Sequence, residues 1–128
     1  MKLILLFIIL TFNINGFCLD TSFEFKFENN LHILVEKNSQ EQIPINMAGP
    51  ENPKILKIKK QDNFLLVYFY AGSAGTFDLI RHEKVAIFNT KKGQFLEKVY
   101  VTKLGDLPEK DQPTLKISNG KIIYNLPK

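Results

Sequence analysis

The chain holds one cysteine, Cys18, and no tryptophan, and of its 17 basic residues only Arg81 is an arginine. Each scarcity excludes something. Beyond residue 18 the chain has no disulfide, no cysteine-based zinc site and no thiol nucleophile, so the fold stands on its apolar core. A lone arginine fits poorly with sequence-specific nucleic-acid recognition, which leans on arginine's paired donors and on a dense basic patch. The two histidines, His32 and His82, lie far apart in the sequence and form no two-histidine metal spacing, and no glycine-flanked serine sits in a strand-to-helix context. No metal, no cofactor and no nucleic-acid partner is expected on these grounds.

Long apolar runs are equally scarce. The main one, Leu3 to Phe12, follows the basic Lys2 and precedes the polar Asn13-Ile14-Asn15-Gly16. That is the layout of a secretory signal peptide, and the run is too short for a spanning helix, which needs about 20 apolar residues. Cleavage after Cys18 would put Gly16 and Cys18 at the two small-residue positions and start the mature chain at Leu19. The alternative, Cys18 as the lipid-modified first residue of a lipoprotein, is opposed by the bulky Phe17 before it. Residues 1–18 therefore read as a cleaved signal, with residues 19–128 as one β-domain exported to a periplasm or secreted. No transmembrane span remains once the signal is removed. Without Lys2, 16 basic and 13 acidic residues leave a net charge of about +3, interspersed rather than blocked. The densest cluster, Lys57, Lys59 and Lys60, reads as a solvated strand face.

What the mature chain has in quantity is period two. Phe23-Glu24-Phe25-Lys26-Phe27 alternates apolar and charged, and Leu31 to Val35 follows across Glu28-Asn29-Asn30. A three-residue loop there would set Phe27 against Leu31, Phe25 against Ile33 and Phe23 against Val35, matching apolar faces. A two-residue Asn-Asn turn would instead set Phe27 against His32. The first register is the expected one. Residues 38–54, with Pro44, Pro50 and Pro53, read as a loop that covers an edge or carries a contact surface, with a short edge strand possible at Ile43, Ile45 and Met47. Ile55–Lys59 and Phe64–Tyr70 form a second hairpin, and the latter strand is apolar on both faces, as a central strand covered on both sides would be. Val85–Phe88 is a strand, Asn89 to Gly93 a turn with glycine in the left-handed place, and Gln94–Leu104 one continuous strand. Leu115–Tyr124 closes the chain as a hairpin around Asn119-Gly120, pairing Ile117 with Ile122 and Leu115 with Tyr124. The sum is an all-β fold, a small antiparallel sandwich or barrel of about seven to nine short strands built from hairpins.

The stretch most like a functional feature is Val67-Tyr68-Phe69-Tyr70-Ala71-Gly72-Ser73-Ala74-Gly75-Thr76-Phe77. Gly72 to Thr76 lacks the glycine-lysine ending of a phosphate loop and the helix that would follow one. It offers two glycines, the Ser73 and Thr76 hydroxyls and free backbone donors between Tyr70 and Phe77. These residues (Tyr70, Gly72, Ser73, Gly75, Thr76 and Phe77) are the candidate contact set, and an ordinary hairpin loop accounts for the glycines equally well. In size, export and the composition of this loop the chain is similar to small periplasmic lysozyme inhibitors, which insert a Ser/Gly-rich loop into the enzyme's cleft. Their fuller motif and any cysteines are missing here. The likeness implies an inhibitor or ligand-binding module acting through residues 72–76.

Catalytic constellations are thin. On an extended strand His82 and Glu83 face opposite ways, and Asp78 lies about 13 Å from His82. Glu83 and Glu97 would sit on adjacent strands, a weak basis for paired-carboxylate chemistry. The functional expectation is an exported, non-catalytic β-domain that binds a protein partner in the cell envelope, ahead of the loop inhibitor and of an envelope hydrolase using His82. Sequencing of the mature protein's N-terminus should read Leu19; a lipid-bearing Cys18, recovered in the detergent phase, would replace the soluble form with a lipoprotein.

Overall fold

The strand at residues 64–74 is apolar at almost every position, and a strand of that kind is stable only with both faces covered. In the computed structural model, which describes residues 22–75 and 79–127, it is covered twice. The expected signal peptide, and Thr76, Phe77 and Asp78, lie outside the described residues. Ten strands form three antiparallel sheets among them: β1 (Phe23–Glu28), β2 (Leu31–Glu36), β3 (Gln42–Ile45), β4 (Lys54–Gln61), β5 (Phe64–Ala74), β6 (Ile80–Asn89), β7 (Gln94–Phe95), β8 (Tyr100–Leu104), β9 (Thr114–Ser118) and β10 (Lys121–Asn125). One short 3-10 turn, Glu109–Asp111, interrupts the loop before β9. The architecture is all-β, with no helix long and apolar enough to cross a membrane among the described residues.

The central sheet runs β4-β5-β6, with β7 and β8 sharing the outer edge of β6. On its first face Val67, Phe69 and Ala71 of β5 join Ala86 and Phe88 of β6 under the β1-β2-β3 sheet, which contributes Phe23, Leu34, Ile43 and Ile45. Phenylalanine rings knit the two sheets: Phe25 meets Phe69 edge-on at 5.5 Å, and Phe88 meets Phe23 at 5.8 Å and Phe95 at 5.1 Å. On the second face Phe64 and Leu66 join Val85 and Ile87 under the β9-β10 hairpin, which contributes Leu115, Ile117 and Ile122. The side chains of β5 alternate between these two cores because strand residues point alternately to opposite sides.

The first hairpin differs from the expected register. Phe27 pairs with His32, Phe25 with Leu34 and Phe23 with Glu36, across a two-residue Asn29-Asn30 turn. Both asparagines take positive φ, 52° and 63°, the geometry of the twist-matched two-residue hairpin, and asparagine tolerates it better than most residues. The cost is Phe27, left 60% exposed against the His32 ring. Its gain is Phe25, Leu34 and Ile43 in one row across three strands. Glu36, opposite Phe23, is buried to 5% exposure, yet its carboxylate accepts the N–H groups of Ser39 at 2.8 Å and Asn38 at 3.2 Å, capping the turn into β3. A buried carboxylate so bonded costs far less than an unpaired one.

The 94–104 segment is also not continuous. Regular alternation would aim Glu97 into the core between Phe95 and Val99; instead Glu97 and Lys98 swing out to solvent and split the strand into β7 and β8. The Pro44 edge strand, the Gly93 turn with φ 67°, and the closing hairpin with Ile117 on Ile122 and Leu115 on Tyr124 are as the sequence implies. Truncation of Phe69, fully buried, should cost about 3–5 kcal/mol in urea unfolding of the Phe69→Ala variant. Phe27→Ala should stay within about 0.5 kcal/mol of the wild type, a contrast that the three-residue register would not produce.

Candidate functional site

The expected five-residue loop at 72–76 is, in large part, strand. Gly72, Ser73 and Ala74 belong to β5, which slips register against β6 between Tyr70 and Ser73 before Ser73 pairs with Arg81. This bulge is the reason for Gly72, whose φ of 89° disfavours any side chain. The chain leaves the sheet at Gly75, which is exposed.

Against the bulge lies the other expected contact region, the proline-bearing segment. The Ala48 N–H donates to Ala71 O at 2.6 Å, which docks residues 46–51 along the end of β5 as a strap. The approach is so close that a Cβ on Gly49 would stand 2.3 Å from Ser73 O, and one on Gly72 would stand 2.8 Å from Gly49 N. Glu51 then reaches over the bulge. Its Oε2 accepts the Ser73 N–H at 3.3 Å and its Oε1 accepts the Tyr70 hydroxyl at 3.4 Å, while the Tyr70 and Ser73 hydroxyls share a bond of 2.9 Å. The Arg81 guanidinium lies 4.5 Å above the Tyr70 ring centre and its Nε stands 3.5 Å from Glu83 Oε2. Such a cation over an aromatic face is attractive through the ring quadrupole.

Beside this network opens a groove of about 550 Å3. Leu79, Leu104 and Leu107 line it together with two cations, Arg81 and Lys103, and two acids, Glu83 and Asp106, and its apolar lip is well exposed, Leu79 at 70% and Leu107 at 40%. The 104–107 turn that forms its floor is held by one side chain. Gln112 Oε1 accepts the Leu104 N–H at 2.7 Å, and Gln112 Nε2 donates to Leu104 O and Leu107 O at 3.1 Å. Gly105, with φ 50°, donates its N–H to Arg81 O at 2.7 Å and closes the groove on β6.

His82 lies on the opposite side of β6, next to Lys84. The ladder places it against Leu104, while Glu83 stands against Lys103 and Tyr70. Burial and the neighbouring Lys84 ammonium hold the His82 imidazole below its usual range. Lys84, itself lowered by burial, donates to Asn46 O at 2.8 Å and ties the strap's start to β6. Glu97 is out of the sheet and exposed, so it does not stand beside Glu83 as adjacent strands would place it.

The structure thus gathers Tyr70, Gly72, Ser73 and Gly75 from the expected set at one end of the sandwich; Thr76 and Phe77 lie outside the described residues. It adds Glu51, Arg81, Lys103, Gln112 and the exposed leucines. Of these, Arg81 carried a signal as the only arginine, whereas Glu51 is one of two acids in the proline-bearing segment, with Glu41, and nothing local singles it out. Comparison with protein-family models, characterised proteins and solved structures finds no match for this chain.

Two measurements follow from the geometry. Gly49→Ala forces the strap off β5 and should cost about 1–3 kcal/mol, with the Ser73 amide resonance moving most. The His82 effect has a definite sign: its folded imidazole resists protonation while the unfolded one protonates near pH 6.5. The unfolded state therefore binds more protons below that pH, and stability falls as pH drops through and below about 6.5. His82→Gln should flatten the wild-type decline in Tm between about pH 7.5 and 5.5.

Proposed function

We propose that the protein is an exported, non-catalytic β-domain that binds a protein partner of the cell envelope through the end of the sandwich formed by the strap, the β5 bulge and the groove. Export is carried by the N-terminal pattern of Lys2 and the Leu3–Phe12 run. The observation that carries the binding reading is the exposed leucine lip of the groove, set directly beside a braced polar network. Solvent-facing leucines grouped at a concave edge have no packing role in the core and match the apolar anchor pockets of interfaces. The bracing by Glu51, Tyr70, Ser73 and Gln112 supplies what a binding surface needs, a shape fixed before the partner arrives.

The polar groups at this end serve positioning better than chemistry. Ser73 shares its hydroxyl with a tyrosine rather than with a histidine base, and His82 projects from the other face of the strand. Both facts favour contact over turnover.

Crosslinking of the exported protein to its neighbours in intact cells, followed by mass spectrometry, tests the proposal. Leu79→Ser with Leu107→Ser should remove the crosslinked partner while the amide spectrum stays dispersed. Retention of every partner by that folded double variant would sink the reading.

A further inference from the structure

The second face of the central sheet is divided. Its lower half is the apolar patch of Phe64, Leu66, Val85 and Ile87 beneath the β9-β10 hairpin. Its upper half, toward the strap and groove, continues the same rows with different residues. Cross-strand partners share a face, so Lys54 stands beside Tyr70, Lys57 beside Tyr68 and Lys59 beside Leu66 on β4–β5. Across β5, Tyr70 is followed by Glu83 on β6 and then by Lys103 on β8. Arg81, two residues from Glu83, completes the set. β4 itself reads Lys-Ile-Leu-Lys-Ile-Lys-Lys-Gln, with no acidic residue. Thus the chain's single arginine and Lys54, Lys57 and Lys103 meet Glu51 and Glu83 around the tyrosines, with Lys59 at the border of the apolar patch and Asp106 in the groove wall.

We infer that this cationic half-face is the partner-recognition surface, and that it takes an acidic polypeptide segment whose apolar anchor seats in the adjoining leucine-lipped groove. The inference rests on the binding role proposed above and specifies the partner's chemistry. Three observations select a polypeptide over another polyanion. First, each tyrosine already carries a cation on one face: the Lys57 ammonium sits 4.8 Å from the Tyr68 ring centre, and Arg81 lies over Tyr70. A sugar ring or nucleobase stacking on those faces would have to displace the cations. Second, Glu51 and Glu83 stand among the cations as hydrogen-bond acceptors. Glu51 takes one bond on each oxygen within the site, which leaves lone pairs for peptide N–H groups that a phosphate or sulfate polymer lacks. Third, the exposed Leu79 and Leu107 continue the surface with an apolar patch, which a peptide side chain fills and a uniformly charged polymer does not. Alternate residues of an extended segment lie about 7 Å apart on one side, so acids at every second position can meet the lysine row in turn.

A random dodecapeptide display library selected on the immobilised mature protein tests this, with enriched peptides synthesised and titrated by fluorescence anisotropy. The expected enrichment is for acidic peptides carrying a leucine, isoleucine or phenylalanine. Their affinity should fall at least about tenfold in Lys54→Glu/Lys57→Glu/Lys103→Glu, and about tenfold again on raising salt from about 50 to 300 mM. The control Lys26→Glu/Lys91→Glu/Lys92→Glu makes the same change in net charge at exposed sites on β1, over the other face, and on the β6-β7 turn, and should bind as the wild type does. Enriched peptides without acids, or acidic peptides indifferent to the first triple variant, would overturn the charge inference while leaving the groove as a binding site. Acidic peptides that bind normally to Leu79→Ser/Leu107→Ser would overturn the groove's part. A sulfated polysaccharide that binds the half-face and excludes the peptides would replace the polypeptide by a glycan. Failure of any peptide to enrich would overturn the inference; the crosslinking result then decides separately whether the groove binds a folded partner.

Discussion

Everything in this molecule is arranged around the double burial of one strand. β5 is apolar on both sides, and neither neighbour in its own sheet can cover it; only layers stacked above and below can. The β1-β2-β3 sheet and the β9-β10 hairpin supply those layers, and each brings its own row of phenylalanine, leucine or isoleucine to the contact. With no disulfide to cross-link the described residues, the fold relies on the area these layers remove from water. The two layers are unequal in size. The three-stranded sheet extends over the first face, whereas the two-stranded hairpin reaches only part of the second. The remainder of the second face is where Tyr70 and the cations stand, with Tyr68 at the border of the covered patch, so the uncovered surface is a direct outcome of a narrow third layer.

A second consequence follows for the end of β5. Where the apolar pattern gives way at Ala71-Gly72-Ser73, the strand bulges and loses its regular register with β6. Backbone that leaves a ladder needs other partners. The strap provides them through Ala48 and Glu51, and the crossing is tight enough to require glycine on both sides. The bulge, the strap and the groove are therefore one construction rather than three neighbouring features.

Much of this was legible in the sequence, for identifiable reasons. The all-β class followed from period-two patterning, the central strand from its apolar character on both faces, and the last hairpin from Asn119-Gly120. The first hairpin was not, because apolar matching and turn chemistry pointed to different registers. Two consecutive asparagines at positive φ decided it, and Phe27 was left to solvent. The break at Glu97-Lys98 was hidden for a related reason: alternation was intact on paper, yet one of its positions would have buried a charge. The candidate site was half visible. Composition drew attention to residues 72–76 and 38–54 separately, but no local pattern says that Gly49 crosses Gly72 or that Arg81 lies over Tyr70. Those contacts join residues distant along the chain, and only the folded topology brings them together.

The groove floor has a property that its neighbours lack. The side chain that pins it, Gln112, is a neutral amide, and its bonds to Leu104 and Leu107 run to backbone atoms. Neither acid nor salt weakens such a clasp in the ordinary range, whereas attraction from lysines and arginine fades as ions accumulate. Shape and charge are thereby assigned to separate parts: the clasp under the cleft floor is indifferent to salt, while the strength with which the cleft draws a ligand is left to the medium to set.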